Sequence, residues 1–519
     1  MKYRLITILL LFVLGCNDKK ENITNYPSLP KDGIAGLFDS QYKPFYHGVA
    51  SGDPLQDRVI IWTRVTPEDS IPSIDVSWEI AEEADFTEIV SSGIATTSPA
   101  RDYTVKVDVM GLKENNQYYY RFKALGATSV TGSTMTAPSS EVDSLQFAVV
   151  SCSNYEFGYF NAYGRIAARK NLNAVLHLGD YIYEYGPGVY GDTVVERTHI
   201  PAHEIISLQD YRLRYSQYRL DQDLKAVHQA HPFITIWDDH EIANNSYKDG
   251  AQNHQEGEGD YITRKEAARQ VYYEWMPVRE NETLYRDFSY GNLADLVMLD
   301  ERLAGRTAPA ENLEDSTLQS EERTMLGQKQ LEWFKEKLST SDAKWKIIGN
   351  QVIFSYLNWG RKNFSINLDS WDGYPVEQKK IADFIQSNNL DNVVFVTGDT
   401  HTGWAFETTI DPFNSYNAKT AEGALAVEFG VTSINSGNSD ERFPTDSVKA
   451  HEKRIVDSPI NPHLKYANMR DHGYLLLTLY TEKARADWYI IETSRERNSN
   501  EKLDKSASVN SGEVKLNLK

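Results

Sequence analysis

The rhythm of apolar and polar positions changes near residue 145. Before it, the pattern is that of short strands. Val59-Ile60-Ile61-Trp62-Thr63 is β-branched and aromatic, a composition suited to a pleated, half-buried surface. Tyr103, Val105, Val107 and Val109 alternate with polar neighbours, and Tyr118 to Phe122 alternates again after the turn-like Lys113-Glu114-Asn115-Asn116. A period of two predicts strands. Frequent turns between them predict a small all-β sandwich over residues 45–138. A linker is expected over Thr136–Asp143.

From Leu145 onward apolar runs alternate with helical stretches, which predicts α/β layering over residues 145–493. Strands are expected at Phe147–Val150, Ala174–Leu178, Phe233–Trp237, Leu296–Leu299, Lys346–Gly349, Val393–Thr397, Ala424–Gly430 and Tyr474–Leu479. Helices are expected at Phe160–Arg169, Arg264–Trp275, Leu326–Leu338 and Val376–Gln386, with Thr263 as an N-cap. An insert from Gly186 to Asp223 carries Arg197, Arg212, Arg214 and Arg219. It reads as a solvated helical segment or as a lid over a pocket. Residues 494–519 are polar and are expected to form a loose tail.

The first residues change the picture. Lys2 and Arg4 precede an apolar run from Leu5 to Leu14. That run is about half the length a membrane-spanning helix needs, so it reads as a secretory signal. It ends in Val13-Leu14-Gly15-Cys16, which resembles a bacterial lipobox. On that reading residues 1–16 are a lipoprotein signal, Cys16 is lipidated and residues 17–44 tether an exported, membrane-anchored protein. A plain signal peptide with an incidental Cys is the alternative. Cys152 is the second of two cysteines. With Cys16 lipidated it has no partner, so a disulfide framework is excluded.

The net charge of -20 makes nucleic acid a poor standing partner. It leaves room for a small phosphate ester, because clustered metal cations reverse the charge locally.

Polar residues follow several expected strands: Ser151-Cys152-Ser153-Asn154, Gly179-Asp180-Tyr181-Ile182-Tyr183, Trp237-Asp238-Asp239-His240-Glu241, Gly349-Asn350-Gln351 and Gly398-Asp399-Thr400-His401. Ligands of open α/β sheets bind beyond the carboxyl ends of strands. Each block alone reads as a turn or a satisfied polar residue. Together they supply the ligand types a two-metal site needs. Trp237, Trp371 and Trp404 are either core or pocket rim.

The order of these blocks resembles that of the calcineurin-like and purple acid phosphatases: an acidic first ligand, then GDxxY, GNHE, a His or Asn position and GHxH. Cys152 stands in the first position, Asp239-His240-Glu241 for the Asn-His-Glu block, and Asp399-Thr400-His401 for His-x-His. Those departures are the ones PhoD-like alkaline phosphatases show. His47-Gly48-Val49-Ala50-Ser51-Gly52-Asp53-Pro54 resembles the opening of that family's N-terminal domain. Leu112 to Phe122 resembles the tyrosine-corner region of fibronectin type III-like domains.

The resemblance implies a metallophosphatase fold, layered β-sheets flanked by helices, behind the small sandwich. It implies hydrolysis of phosphate monoesters or diesters by a metal-activated hydroxide, with a phosphodiesterase or phospholipase D-like enzyme of the same family as the alternative. Cys152, Asp180, Tyr183 and His401 would bind a trivalent iron, Fe3+. Asp180 would bridge to a second metal completed by Asp239, Asn350 and Asp399, an oxygen shell suited to calcium, Ca2+. His240 would face the phosphoryl group as acid or charge stabiliser, or serve as a supporting His behind the ligands. Asp399 and His401, two apart, are expected to point the same way on an extended backbone. A further ligand from Asp238, Asn154 or Gln351 is left open. A phosphate-ester substrate and a monomeric chain are expected. The rival readings are a non-catalytic surface-binding lipoprotein and a calcium-only diesterase, which iron content and colour separate.

Overall fold

The computed structural model describes residues 33–192 and 195–519. The signal run, Cys16 and most of the expected tether lie outside them. Residues 33–44, expected as tether, are packed: Ile34 is buried against Leu213 and Leu220. No helix among the described residues is long and apolar enough to cross a membrane.

The N-terminal region supplies eight strands: β1 (Val49–Gly52), β2 (Arg58–Arg64), β3 (Ile74–Ala81), β4 (Ile89–Thr97), β5 (Thr104–Met110), β6 (Gln117–Ala124), β7 (Ala127–Thr128) and β8 (Gly132–Met135). The larger region supplies β9 (Ser144–Val150), β10 (Ala174–His177), β11 (Pro232–Thr235), β12 (Arg286–Tyr290), β13 (Ala294–Met298), β14 (Trp345–Asn350), β15 (Val393–Thr397), β16 (Gly403–Thr408) and β17 (Ala426–Gly430). It continues with β18 (Leu464–Asn468), β19 (Gly473–Tyr480), β20 (Lys483–Ile491), β21 (Glu501–Asn510) and β22 (Asn517–Leu518).

Two large sheets form the body. One has ten strands in the order β22-β21-β20-β19-β9-β10-β11-β1-β2-β5; the other has seven, β12-β13-β14-β15-β17-β16-β18. Their central strands are parallel and buried on both faces, which is why they read as unbroken apolar runs. Alternation then sends Val394 and Val396 into the core between the sheets. Val393 and Phe395 turn toward helices Gly327–Thr340 and Pro375–Ser387 on the outer face.

The N-terminal sandwich is real, but one of its two layers belongs to the large sheet. β3, β4, β6, β7 and β8 form the separate layer. They pack through Val76, Ile80, Tyr118 and Phe122 onto Val49, Ile61 and Val105 of β1, β2 and β5. The opposite faces of the same strands, at Ala50 and Trp62, join the main core. β1 pairs with β11 in parallel, Gly52 opposite Phe233. A Cβ on Gly52 would meet the Pro277 carbonyl oxygen at 2.3 Å, so only glycine fits that seam. The tyrosine-corner expectation is met: the Lys113 N–H donates to Tyr118 Oη at 2.8 Å.

Three expectations need correction. Residues 501–518 are not a loose tail but strands β21 and β22, which extend the ten-stranded sheet. Ala507 and Val509 are buried there, an alternation that the surrounding polar residues mask. The Gly186–Asp223 arginines are not solvated: Arg212, Arg214 and Arg219 are buried in helix Leu208–Arg219, and Arg212 pairs with Glu274 at 2.6 Å. Helix Tyr261–Trp275 starts one turn earlier than expected, because Asp260, not Thr263, is its N-cap. Trp237, Trp371 and Trp404 are buried.

Candidate metal centre

The loops after β9, β10 and β15 meet in one place. Cys152, Asp180 and His401 each bring a ligand atom within 4.8 Å of the others. The Cys152 thiol donates to Asp180 Oδ2 at 3.4 Å, and the Tyr183 hydroxyl donates to the same oxygen at 3.2 Å. Tyr183 Oη is also 3.2 Å from His401 Nε2. His401 donates through Nδ1 to the Gly437 carbonyl at 2.6 Å. That bond leaves Nε2 as the free lone pair aimed at the cluster, as a metal-binding imidazole needs.

The backbone is bent to make this meeting possible. Cys152, Asp180, Asp399 and His401 all have left-handed φ, between 56° and 60°. Such residues cost on the order of 1–3 kcal/mol each and gather at functional sites. Gly179 lets two loops touch: a Cβ there would lie 2.3 Å from Asp238 Cβ. Glu241 then ties the loops together, accepting the N–H groups of Asp180 at 3.0 Å, Tyr181 at 2.6 Å and Asp238 at 2.8 Å.

A second cluster adjoins the first. Asp238, Asp239 and Asp399 converge within 4.8 Å, and Asp180, Asp239 and His240 do the same. Asp180 and Asp239 therefore link the two. Asp239 is fixed by the N–H groups of His240 at 3.0 Å and Asn245 at 2.6 Å. His240 donates through Nδ1 to Glu184 Oε2 at 2.7 Å, and Glu184 is held by the Asn244 N–H and the Asn253 amide. The His240 ring lies 4.3 Å from that of Tyr183.

So many carboxylates in a dry place shift one another. Burial raises Asp180 far above the usual carboxylate range, with Asp239 and Asp238 adding to the rise. Burial likewise pushes Asp399 up to about 7 and Asp238 up to about 8, each partly offset by Arg302. Burial, then Asp180, raises the Cys152 thiol. Burial lowers His401 to about 4. Burial would also lower His240, but Asp239, Glu184 and Asp180 outweigh it and hold the ring cationic.

This arrangement has relatives. The family model described as PhoD-like phosphatase matches residues 147–488, and its N-terminal-domain companion matches residues 34–138. The chain belongs to the PhoD-like phosphatase family. It is 40% identical over 472 residues to alkaline phosphatase D of Bacillus subtilis (strain 168), covering 86% of this chain and 78% of that protein. It also superposes on a solved structure of PhoD with a TM-score of 0.82 at 36% identity, covering 92% of this chain and 93% of that one. The expectation of an enzyme acting on phosphoric esters is met at the level of the family.

In this PhoD-like phosphatase the donor set fits bound cations. Asp180 Oδ1 and Asp238 Oδ2 are buried without a hydrogen-bond partner, a costly state unless something else satisfies them. Thiol, phenol and imidazole gather at one end and carboxylates at the other, the division expected between a transition metal and a hard cation.

Of the expected site residues, Cys152, Asp180, Tyr183, His401, Asp239, Asp399 and His240 come together. Asn350 ends β14 opposite Thr397 of β15, the strand that leads to Asp399. Trp371 Nε1 donates to the Asn350 amide oxygen at 3.2 Å, and the amide nitrogen donates to the Val352 carbonyl and to Thr397. Asp399 and His401 do not share one direction. Both are left-handed rather than extended, and they serve the two different clusters. Of the three residues left open, Asp238 joins a cluster. Asn154 instead accepts the Glu156 N–H, and Gln351 braces Glu301 and Leu299.

Sequence reasoning missed Ser436, Gly437, Glu184 and Arg302. Ser436 Oγ donates to Tyr183 Oη at 2.8 Å from the loop after β17. Arg302 lies in the loop after β13 and contacts Asp238 and Asp399. The strand-end rule applied to Asp300-Glu301-Arg302 and to Thr432–Ser436 would have found both loops.

Proposed function

We propose that this PhoD-like phosphatase hydrolyses phosphate esters with two adjoining cation sites. The first is formed by Cys152, Asp180, Tyr183 and His401 and is suited to Fe3+. The second is formed by Asp180, Asp239 and Asp399 with Asp238 at its edge and is suited to Ca2+. The observation that carries the reading is Asp180. One of its oxygens meets the thiol and the phenol, the other is buried and unpartnered, and the carboxylate also lies within 4.8 Å of Asp239 and His240.

When bound, the cations supply positive charge for phosphoryl oxygens and acidify water. The chain's own residues do the rest. Asp180 holds both clusters in one frame. Glu184 orients His240 so that Nδ1 is occupied and Nε2 faces the reacting group. The cationic ring then places a proton at Nε2 for the leaving oxygen or stabilises its charge. A cation shared by Asp180 and Asp239 would relieve part of the pull that keeps His240 charged and bring it closer to proton transfer. Asn350 would complete the second site through its amide oxygen, which also accepts from Trp371 Nε1 at 3.2 Å.

Export and lipidation rest on residues 1–16 alone, and a Cys16→Ser variant that stays membrane-bound would overturn the anchor. The central test is metal analysis with activity on one sample. Iron and calcium should each be present, and the iron form should be coloured through Tyr183. A colourless, iron-free enzyme that retains full activity would favour the calcium-only alternative. Comparing a monoester with a diester sets the substrate class.

A further inference from the structure

The second cluster already contains a cation of its own. Arg302 has no exposed side-chain surface. Its Nε lies 2.5 Å from Asp238 Oδ1, and one terminal nitrogen lies 3.3 Å from Asp399 Oδ1 and 3.8 Å from Asp239 Oδ1. The other terminal nitrogen meets Asp369 Oδ2 at 2.7 Å. Asp369 is also paired with Arg306 and lines a cavity with Asn245, Tyr247 and Phe364. A guanidinium is charged at any pH a protein survives, and its planar fork holds several carboxylates in fixed geometry. Three carboxylates within 4.8 Å of one another repel unless a positive charge lies among them. A divalent ion drawn to the same oxygens therefore meets a like charge that is already bonded to them.

We propose that Arg302 is a positioning residue that acts as the resident counter-cation of the second site. It keeps Asp238, Asp239 and Asp399 converged when no divalent ion is present. Its charge also keeps a divalent ion there exchangeable. Asp369 tunes this balance by neutralising Arg302 from the far side. The inference rests on the two-site reading above.

The experiment is a calorimetric titration of calcium chloride into chelator-stripped full-length protein, with melting temperatures recorded with and without calcium. An Asp399→Asn variant identifies which heat belongs to the second site. Neutralising the arginine with Arg302→Gln should tighten that binding on the order of tenfold. It should also lower the calcium-free melting temperature, and calcium should raise it by more than in the wild type. Removing the far carboxylate with Asp369→Asn should weaken binding several-fold, because Arg302 is then less neutralised. Opposite signs are the signature, since an arginine that merely supports the fold predicts weaker binding in both variants. Weakened or unchanged binding in Arg302→Gln overturns the proposal. If that variant does not fold even with calcium, Asp369→Asn decides: weaker calcium binding with a calcium-free melting temperature no lower than that of the wild type supports the proposal, and any other result overturns it. Wild-type protein that binds no calcium at Asp399 would sink the second-site reading itself, a distinguishable result.

Discussion

Replacing Asp180 by Asn should separate activity from stability. The carboxylate lies within 4.8 Å of Asp239 and of His240, and one of its oxygens has no partner. At an effective dielectric near 20, Asp239 at that distance repels the charge by about 3 kcal/mol and the cationic His240 attracts it by a similar amount, so burial, the largest influence on Asp180, decides the sign. Protonation relieves part of the burial cost, since Asp180 already titrates far above its usual range. Removing the charge should therefore stabilise the stripped protein by about 0.5–3 kcal/mol, or about 0.5–3 °C in a chain of this length. The same change deletes the group shared by both cation sites. Turnover should fall on the order of 10³ or more, several kcal/mol of transition-state stabilisation. The assay pairs calorimetric melting of chelator-treated protein with p-nitrophenyl phosphate hydrolysis after metal reloading. Turnover within tenfold of wild type, or a stripped protein that melts several degrees lower, would refute the bridging role.

Raised carboxyl groups bind protons in the folded protein that the unfolded chain has released, so their stabilising contribution is complete below about pH 4 and is lost as pH rises through the folded values. With Asp399 near 7 and Asp238 near 8, the stripped protein should lose melting temperature between about pH 4 and 8, and calcium should restore more at pH 8.5 than at 6. Glu184→Gln should leave the cation content intact and slow hydrolysis of an alkyl phosphate on the order of 10²-fold, with a much smaller effect on p-nitrophenyl phosphate, whose leaving group needs no proton; equal losses on both would remove the acid role from His240. Glu241→Gln weakens charged bonds to three backbone N–H groups and should cost about 2–4 kcal/mol, read by denaturant melting. Tyr183→Phe should abolish the visible absorption of iron-loaded protein, and unchanged colour would exclude Tyr183 as an iron ligand.

The body of the fold was legible because its central strands are buried on both faces. Val393–Thr397 is found with the expected ends, and Ala174, Val175 and Leu176 could hardly be anything else. What periodicity cannot see is sheet membership. Val49-Ala50 and Ile61-Trp62 alternate as any sandwich strand does, yet one face belongs to the large core, which only the pairing with β11 reveals. β21 escaped notice because its apolar positions are few and small. The candidate centre was legible where ligand types follow strands. It was illegible where the contribution is a carboxylate clamp such as Glu241 or a buried guanidinium such as Arg302, since neither carries a local pattern. Asn350 could be placed at the end of its strand from the sequence, but its contact with Trp371 could not, because only the fold brings the two together.

The parallel seam between β1 and β11 ties the N-terminal region to the strand that leads to Asp238 and Asp239. β11 ends at Thr235, shortly before Asp238 and Asp239, and pairs on one edge with Ser51 and Gly52 of β1. A shortened enzyme lacking that pairing would bare the backbone of the very strand that aims those carboxylates. Dissecting this molecule at the boundary between its two matched regions should therefore yield an inactive, self-associating fragment rather than a minimal phosphatase.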